Sequence, residues 1–305
     1  MSQPVRQTEL IEAQYVGIDT WSDGRTLDSL LAGQERAIAA VRRAVPGISQ
    51  AATAVATRVK AGGKLYYAGA GTSIRVGVQD GSELSATYGI DEAQLGYFIA
   101  GGKSAIFDSM ADKEDSNEDG RAAAQICTSK DALVAIAASG RTPYTIAAAT
   151  EAKARGCLVI SVVNVPNSVL GKLADVEIVL QSGAEVIAGS TRLGAGTAQK
   201  AALNLMSTLL GIKLNAVYDG MMVAMRPENE KLKERAAIII AQIADVKIEK
   251  ARATLDEAGA IKPAVLLCAG AQSLGFAKQL LAGTDGNLRL ALSQLDRKQN
   301  QKLQH

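Results

Sequence analysis

Five short apolar runs alternate along this chain with amphipathic helical stretches. Runs such as LVAIAA (133–138) and CLVISVV (157–163) are apolar at nearly every position, which predicts strands that helices cover on both faces. This alternation predicts an α/β fold with a doubly wound, five-stranded parallel sheet and ligands at the carboxyl ends of its strands. The predicted strands are Lys64–Ala68, Gly96–Ala100, Ala132–Ala137, Leu158–Val163 and Val176–Leu180.

Helical periodicity predicts the segments around these strands. Two Ala-rich helices, Leu27–Ala44 and Ile48–Lys60, are expected to be interrupted at Pro46 and Gly47. We expect N-terminal helices over residues 1–62, the α/β domain over 63–222 and a small all-helical module over 223–305. The other predicted helices are Ile74–Tyr88, Ser116–Cys127, Pro143–Arg155, Ser168–Leu173, Thr197–Leu210, Asn229–Ala258, Lys262–Ala269, Ser273–Ala282 and Asn287–Gln294.

The composition excludes several classes of function. The one histidine is the last residue, which argues against Ser–His–Asp catalysis, Cys–His catalysis and histidine metal sites. Acid–base chemistry would then fall to carboxylates, Lys, Tyr or Cys. A formal net charge of +2 and 4% aromatic residues give no reason to expect nucleic acid or an anionic membrane as a partner.

The cysteines and the N-terminal segment suggest a compartment. Cys127, Cys157 and Cys268 are scattered and mostly lie in apolar runs, which predicts buried free thiols and a reducing environment. The N-terminal segment has no apolar core of a signal peptide, and no run of about 18 apolar residues occurs. We expect a cytoplasmic protein with no metal site.

Three hydroxyl-rich loops follow predicted strands: GAGTSIR (69–75), AASGRTPY (137–144) and GAEVIAGSTRLGAGTAQK (183–200). Glycines, hydroxyls and a following helix N-terminus together suit a phosphate monoester on a small polar molecule. Each loop alone is equally consistent with a tight turn and a capping hydroxyl, and Ile74 replaces the third glycine of a dinucleotide-binding motif. The candidate binding residues are Gly71, Thr72, Ser73, Ser139, Gly140, Arg141, Thr142, Glu185, Ser190 and Thr191.

Two carboxylates are candidates for acid–base work. Glu83 lies late in the helix predicted after the first loop, flanked by small residues, where partial burial would suit a general acid. The alternative is an ordinary solvated helix glutamate. Glu114 lies in the acidic segment 110–120, where Asp112, Asp115, Glu118 and Asp119 are equally suitable on chemistry alone.

Taken in order, these segments resemble the N-acetylmuramic acid 6-phosphate etherases, members of the sugar isomerase (SIS) group. The resemblance spans roughly residues 8–295 and implies an SIS-type α/β fold. The matching segments are IDTWS (18–22), GAGTSIRVGVQDGSEL (69–84), AASGRTPY (137–144), EVIAGSTRLGAGTAQKAALNLMST (185–208) and, more weakly, AGTDGNLRLAL (282–292).

The resemblance implies that a D-lactyl ether is cleaved with water, by elimination and then hydration, without a metal or redox cofactor. The products are N-acetylglucosamine 6-phosphate and D-lactate, as in peptidoglycan recycling. It assigns Glu83 to protonating the departing lactate oxygen and Glu114 to removing the C2 proton. The implied phosphate ligands are Thr72, Ser73, Ser139 and Thr142, with Ser190 and Thr191 nearby.

This chain departs from the family pattern at several positions. Ile74 stands where the family has glycine, Leu84-Ser85-Ala86 replace Cys-Pro-Pro, and an Arg-Asn-Pro motif after Thr8-Glu9 is missing. We expect Ile74 to add bulk where a ligand passes, and the lost prolines to free the helix end that aims Glu83.

Two other functions stay open on the sequence. The altered loops fit a non-catalytic sugar-phosphate sensor, and deprotonation at C2 is shared with aldose–ketose phosphate isomerases. We also expect a homodimer, because the Ala-rich helices carry more apolar surface than one sheet needs. In such a dimer, Glu114 or a loop near it would serve the neighbouring subunit's site.

Overall fold

The five apolar runs form one parallel sheet. The computed structural model describes residues 7–108 and 111–302 and orders the strands β2-β1-β3-β4-β5. Every residue of β1 and β3 is buried, which explains their continuous apolar sequence. The predicted α/β, doubly wound sheet is confirmed. The strands are β1 (Leu65–Gly69), β2 (Leu95–Ile99), β3 (Ala132–Ala137), β4 (Leu158–Val163) and β5 (Val176–Val179).

Helices cover both faces of this sheet. The helices up to residue 213 are α1 (Asp23–Lys60), α2 (Gly71–Ser82), α3 (Leu84–Tyr88), α4 (Asn117–Ala124), α5 (Pro143–Ala154), α6 (Val169–Leu173) and α7 (Gly194–Lys213). Residues of α4, α5 and α6 share a buried cluster with Tyr66 and Leu133. On the opposite face α2 approaches closely, because a Cβ at Gly77 would lie 2.8 Å from Cδ1 of Ile136.

Helix α1 continues through Pro46, so the predicted interruption there is wrong. A proline inside a helix costs about 3 kcal/mol, since it removes a hydrogen bond and crowds the preceding turn. The apolar side chains of Ala44 and Ile48 are buried on either side of Pro46 and offset that cost. Gly47 allows the close packing of α1 on β5, because a Cβ there would lie 3.0 Å from the carbonyl oxygen of Glu177.

The segment after β1 forms two helices instead of the single helix predicted over Ile74–Tyr88. Helix α2 already begins at Gly71, directly after the strand, and ends at Ser82. Glu83 occupies the junction, and the short α3 ends at Gly89, whose φ of +69° is left-handed. The junction therefore separates the side chain of Glu83 from the regular part of α2.

The C-terminal part is mainly helical, as the sequence predicts. Its elements are β6 (Val217–Tyr218), β7 (Met221–Met222), α8 (Glu230–Ala244), α9 (Ile248–Ala258), α10 (Ile261–Cys268), α11 (Leu274–Ala282) and α12 (Leu288–Lys302). The predicted single helix Asn229–Ala258 is wrong, because Asp245 adopts a left-handed φ of +50° and ends α8. The hairpin β6–β7 was not expected; Asp219 and Gly220 both have positive φ at its turn.

The chain divides into two compact units. One comprises the chain up to Ser82 together with Ala93–Leu210, and the other comprises Glu83–Glu92 together with the chain from Gly211 onward. The three-part division at residues 62 and 222 stays a prediction, since compactness alone does not show that a segment folds independently. Within residues 7–108 and 111–302, no helix has the length and apolarity of a membrane span.

Candidate active site

A polar cavity of about 460 Å³ lies in the first unit, beyond the carboxyl ends of β1, β2 and β3. Its lining comes from the loops after these strands, the N-terminal turn and the loop before α7. Ligands of doubly wound sheets bind at this edge. Of the residues predicted from sequence, those on the lining are Gly71, Thr72, Ser73, Glu114, Ser139, Arg141, Thr142 and Thr191.

The start of α2 supplies one wall of the cavity. Gly71 begins the helix with a φ of +51°, a conformation that costs glycine little. A Cβ at this position would lie 3.0 Å from Oε1 of Glu114, so the glycine also permits the approach of that carboxylate. Thr72 and Ser73 follow in the first turn, where backbone N–H groups have no partner within the helix. This end of α2 is suited to an anion.

The start of α5 supplies a second wall. Thr142 is the N-cap residue and makes no side-chain capping hydrogen bond, while Pro143 occupies the first helical position. The Ser139 hydroxyl accepts a hydrogen bond of 3.2 Å from the backbone N–H of Arg141. The first turn of α5 is therefore a second place on the lining that is suited to an anion.

Gly140 is needed for the shape of this loop and does not line the cavity. Its φ is +61°, and a Cβ there would lie 2.4 Å from both Cβ and Oγ of Ser168. The backbone N–H of Gly140 donates to the carbonyl of Ala137 at 3.0 Å. The glycine holds a tight turn after β3 and so aims the neighbouring residues.

Glu114 lines the cavity near the start of α2, and its neighbour Asp115, an equally suitable candidate on sequence, is also on the lining. Glu114 belongs to the short helical turn Ala111–Asp115 and is half-buried. Desolvation by burial raises the pKa of Glu114, and the nearby charge of Asp115 raises it further, whereas the Arg75 guanidinium lowers it. The result is a carboxylate whose basicity is increased at a point that a ligand can reach.

Arg75 shapes the cavity through the loop that follows β2. Its Nε donates to the carbonyl of Ile106 at 2.9 Å, and its Nη2 donates to the carbonyl of Ala105 at 3.2 Å. Arg75 also lines the cavity, as does Asp108. Arg75 was not among the candidate binding residues predicted from the sequence. The available signal was its position as the last residue of the first hydroxyl-rich segment, GAGTSIR (69–75).

Glu185 and Ser190 were predicted as binding residues, but they form hydrogen bonds near the start of α7 and are not on the cavity lining. The buried carboxylate of Glu185 accepts hydrogen bonds from the backbone N–H groups of Gly194 at 2.8 Å and Ala195 at 2.9 Å. The carbonyl of Ser190 accepts from the N–H of Leu193 at 3.0 Å. Glu185 thus satisfies donors that every helix N-terminus leaves open.

Glu83 does not line the cavity, and its side chain is exposed. The expected partial burial of Glu83 is wrong. Since an α-helix rises about 1.5 Å per residue, the far end of α2 lies roughly 16 Å along its axis from Gly71. Glu114 is on the lining of the cavity in the first unit, whereas Glu83 belongs to the second unit and is not among the lining residues.

The departures from the family pattern are accommodated by packing. Ile74 is 1% exposed and does not line the cavity, so the expectation that it obstructs a ligand is wrong. Its side chain lies beside Gly69 and Gly77, where a Cβ would be 3.3 Å and 3.6 Å from it. Leu84 is also 1% exposed. Position 74 therefore belongs to the core beneath the loop.

The N-terminal turn contributes two lining residues that were not predicted as site residues, Thr8 and Glu9. Only the family resemblance could have indicated these two residues as part of the site, because the matching region begins at Thr8-Glu9. Among the described residues, no group of three or more His, Cys, Asp or Glu side chains is arranged to hold a metal ion.

Two family models that describe SIS domains match overlapping parts of this chain. The SIS domain family matches residues 111–209, and the glucokinase regulatory protein N-terminal SIS domain family matches residues 47–152. The phosphoheptose isomerase from Francisella tularensis, a solved structure, is 20% identical with a TM-score of 0.46, covering 62% of this chain and 97% of that one.

Closer relatives identify the family. The N-acetylmuramic acid 6-phosphate etherase of Symbiobacterium thermophilum is 45% identical over 237 residues, which is 76% of this chain and 79% of the relative. That of Deinococcus radiodurans is 36% identical over 297 residues, covering 96% and 97%. The chain belongs to the N-acetylmuramic acid 6-phosphate etherase family, so the resemblance seen in its motifs is confirmed.

Proposed function

We propose that this chain is a carbon–oxygen lyase that cleaves the D-lactyl ether of N-acetylmuramic acid 6-phosphate, releasing D-lactate and N-acetylglucosamine 6-phosphate. Relatives that carry the etherase name match up to nearly the whole chain and support an enzyme acting on an amino-sugar phosphate. The observation that carries the proposal is the position of Glu114, a carboxylate of raised pKa beside the start of α2 in a hydroxyl-lined cavity.

The phosphate binds between the starts of α2 and α5. Thr72, Ser73, Ser139 and Thr142 offer hydroxyl groups there. The first turn of each helix adds N–H groups that have no partner within the helix, together with the positive end of the helix dipole. Arg141 adds a positive charge to the lining. These groups anchor the sugar by its 6-phosphate and leave C2 and C3 to be positioned against the carboxylates.

Glu114 acts as the base at C2. With the sugar ring open, C1 is an aldehyde, and the C2–H bond is acidic. The C2 proton passes to a Glu114 oxygen, its electron pair forms the C2=C3 double bond, and the C3–O bond to lactate breaks. Water then adds its hydroxyl to C3 and gives its remaining proton to the acid that protonated lactate, while Glu114 returns its proton to C2 and is ionised again. A base of raised pKa takes the proton more readily.

The acid that protonates the lactate oxygen is Glu83 of the partner subunit in a homodimer. Glu83 is exposed and absent from the cavity lining of its own chain, as a residue that serves another subunit's site would be. Because Glu114 lines the cavity of its own chain, Glu83 rather than Glu114 is the residue that crosses between subunits in this proposal.

The surface for dimer formation lies along α1 and α7. These helices border a mostly apolar groove of about 560 Å³, lined in part by Ile38, Val45 and Leu205, whose side chains are about half exposed. Apolar patches of this kind are commonly buried by association. We also place the protein in the cytoplasm, since its three cysteines are buried free thiols.

The first experiment is incubation of the chain with N-acetylmuramic acid 6-phosphate and enzymatic measurement of D-lactate. We expect release of one D-lactate per sugar, with incorporation of deuterium at C2 when the solvent is deuterated water. Turnover to an isomer without lactate, or tight binding without any turnover at high protein concentration, would refute the etherase.

Mixing two inactive variants tests the shared site. A heterodimer of Glu83→Gln and Glu114→Gln chains contains one site in which both glutamates are intact, provided that Glu83 acts across subunits. We expect mixing, after exchange of subunits, to restore part of the activity. If both carboxylates of a site came from one chain, every site in the mixture would lack one of them, and no activity would return.

A further inference from the structure

The N-terminal turn brings an additional carboxylate to the cavity. Glu9 ends the short helical turn Gln7–Glu9 and lines the same cavity as Glu114. The preceding residue, Thr8, is 2% exposed. Its carbonyl accepts a hydrogen bond of 2.9 Å from the backbone N–H of Gly189, in the loop before α7. The turn is therefore anchored to the wall of the cavity.

Gly189 permits the close approach of the Glu9 side chain. A Cβ at this position would lie 2.8 Å from Oε2 of Glu9, and the φ of +76° is one that other residues rarely adopt. The same relation holds for Gly71, where a Cβ would lie 3.0 Å from Oε1 of Glu114. Glu9 and Glu114 thus both reach the cavity beside a glycine of positive φ.

The charge of Glu9 limits what can lie against it. A carboxylate repels phosphate and carboxylate groups and accepts hydrogen bonds from uncharged donors. The proposed substrate carries a 6-phosphate, a lactyl carboxylate, several hydroxyls and an acetamido N–H. Only the hydroxyls and the amide N–H suit Glu9, whereas the phosphate suits the starts of α2 and α5.

We infer that Glu9 is a specificity-determining residue that accepts a hydrogen bond from an uncharged donor of the sugar, a hydroxyl or the acetamido N–H. This rests on the proposed function for the identity of the sugar phosphate. Glu9 also excludes the anionic groups of the substrate from its side of the cavity, so the sugar is bound in one orientation.

The test compares two ligands by calorimetry, N-acetylglucosamine 6-phosphate and inorganic phosphate. Hydrogen bonds to charged groups are strong enough that Glu9→Ala should weaken binding of the sugar phosphate about 10- to 100-fold. Binding of inorganic phosphate should stay within about twofold, because its site is made by other residues. Glu9→Gln, which keeps one carbonyl acceptor, should recover part of the affinity for the sugar phosphate.

Two further variants test whether the loss of affinity comes from the position of the Glu9 carboxylate. Gly189→Ala should displace the carboxylate and reproduce the selective loss seen with Glu9→Ala. Glu12→Ala, in the same N-terminal segment but absent from the cavity lining, should bind both ligands as the unaltered chain does. Glucose 6-phosphate distinguishes the donors, since it lacks the acetamido group: if Glu9→Ala weakens it equally, the donor is a hydroxyl.

Three results would overturn the inference. Equal weakening of both ligands would mean that Glu9 supports the shape of the cavity, and unchanged binding of both would mean that it is a solvated surface glutamate. Weaker binding of inorganic phosphate alone would also contradict it. None of these depends on turnover, so a chain that releases no lactate would refute the proposed function and still leave this comparison measurable.

Discussion

The starts of α2 and α7 resemble each other in sequence and differ in use. Both lie in segments rich in glycine and hydroxyl residues, and each has a glutamate close to a glycine at the first helical position: Glu114 near Gly71, and Glu185 near Gly194. Glu185 is buried and accepts two backbone hydrogen bonds. Glu114 is half-buried on the wall of a cavity.

This difference shows that burial and hydrogen bonding decide whether a glutamate near a helix start stabilises the helix or can react with a ligand. A carboxylate that is sealed against N–H donors stabilises the helix and cannot exchange a proton with a ligand. One that is desolvated without being enclosed keeps a raised pKa and remains accessible. Substitution of Glu114 should therefore affect catalysis, whereas substitution of Glu185 should affect stability.

Glu114→Gln should reduce the rate of lactate release by roughly 100- to 10,000-fold, because the amide cannot take the C2 proton. The melting temperature should change little, since the side chain is only half-buried. Glu118→Gln, an exposed carboxylate on α4, is the matched control and should retain full activity. Equal activity of the two variants would remove Glu114 from the mechanism.

Glu185→Ala should lower the free energy of unfolding by roughly 3 kcal/mol, because two backbone donors at the start of α7 lose a buried charged acceptor. Urea denaturation measures this change. Glu185→Gln should cost less, since its carbonyl can still accept one of the two bonds. A stable Glu185→Ala protein that has lost only catalysis would reverse the roles assigned to the two glutamates.

Gly71→Ala should lower lactate release about tenfold and cost about 1 kcal/mol of stability, because a left-handed φ is strained for alanine. The added Cβ would also lie within 3.0 Å of Oε1 of Glu114 and shift the carboxylate. Gly62→Ala is the control: its φ is +82° and no atom lies within 4 Å of a Cβ there. It should lose stability without the catalytic defect.

The dependence of kcat/KM on pH should reveal the titration of Glu114. The base must be ionised, so activity should fall as the pH is lowered through the raised pKa of Glu114. Arg75→Met removes the positive charge that lowers this pKa, so the acid limb of the profile should move to higher pH. An acid limb that moves to lower pH would contradict the electrostatic account of the site.

Much of the fold was predictable because it depends on local pattern. Apolar runs identified all five strands of the large sheet to within about one residue, although only β1 and β3 are buried at every position. Ser, Pro and Gly indicated several helix ends. The errors arose where tertiary packing decided the outcome. Pro46 lies within a continuous helix because the residues around it are buried against the sheet.

The candidate site was predictable in part. Thr72, Ser73, Ser139 and Thr142 follow strands whose carboxyl ends share one edge, so their convergence followed from topology. The positions of Glu9, Arg75 and Glu185 did not, and whether the predicted residues carry catalysis stays a prediction.

The amino-acid sequence by itself determined the parallel sheet, the hydroxyl-bearing loops at its edge and the family to which the chain belongs. Only the tertiary structure decided which carboxylates face the cavity, which one caps α7, and that Ile74 packs beneath the loop. The physical reason is the separation along the chain of the residues that interact. Strand and helix patterns are set by neighbours a few residues apart, whereas the environment of a carboxylate depends on segments such as residues 9 and 189, which meet only in the folded chain.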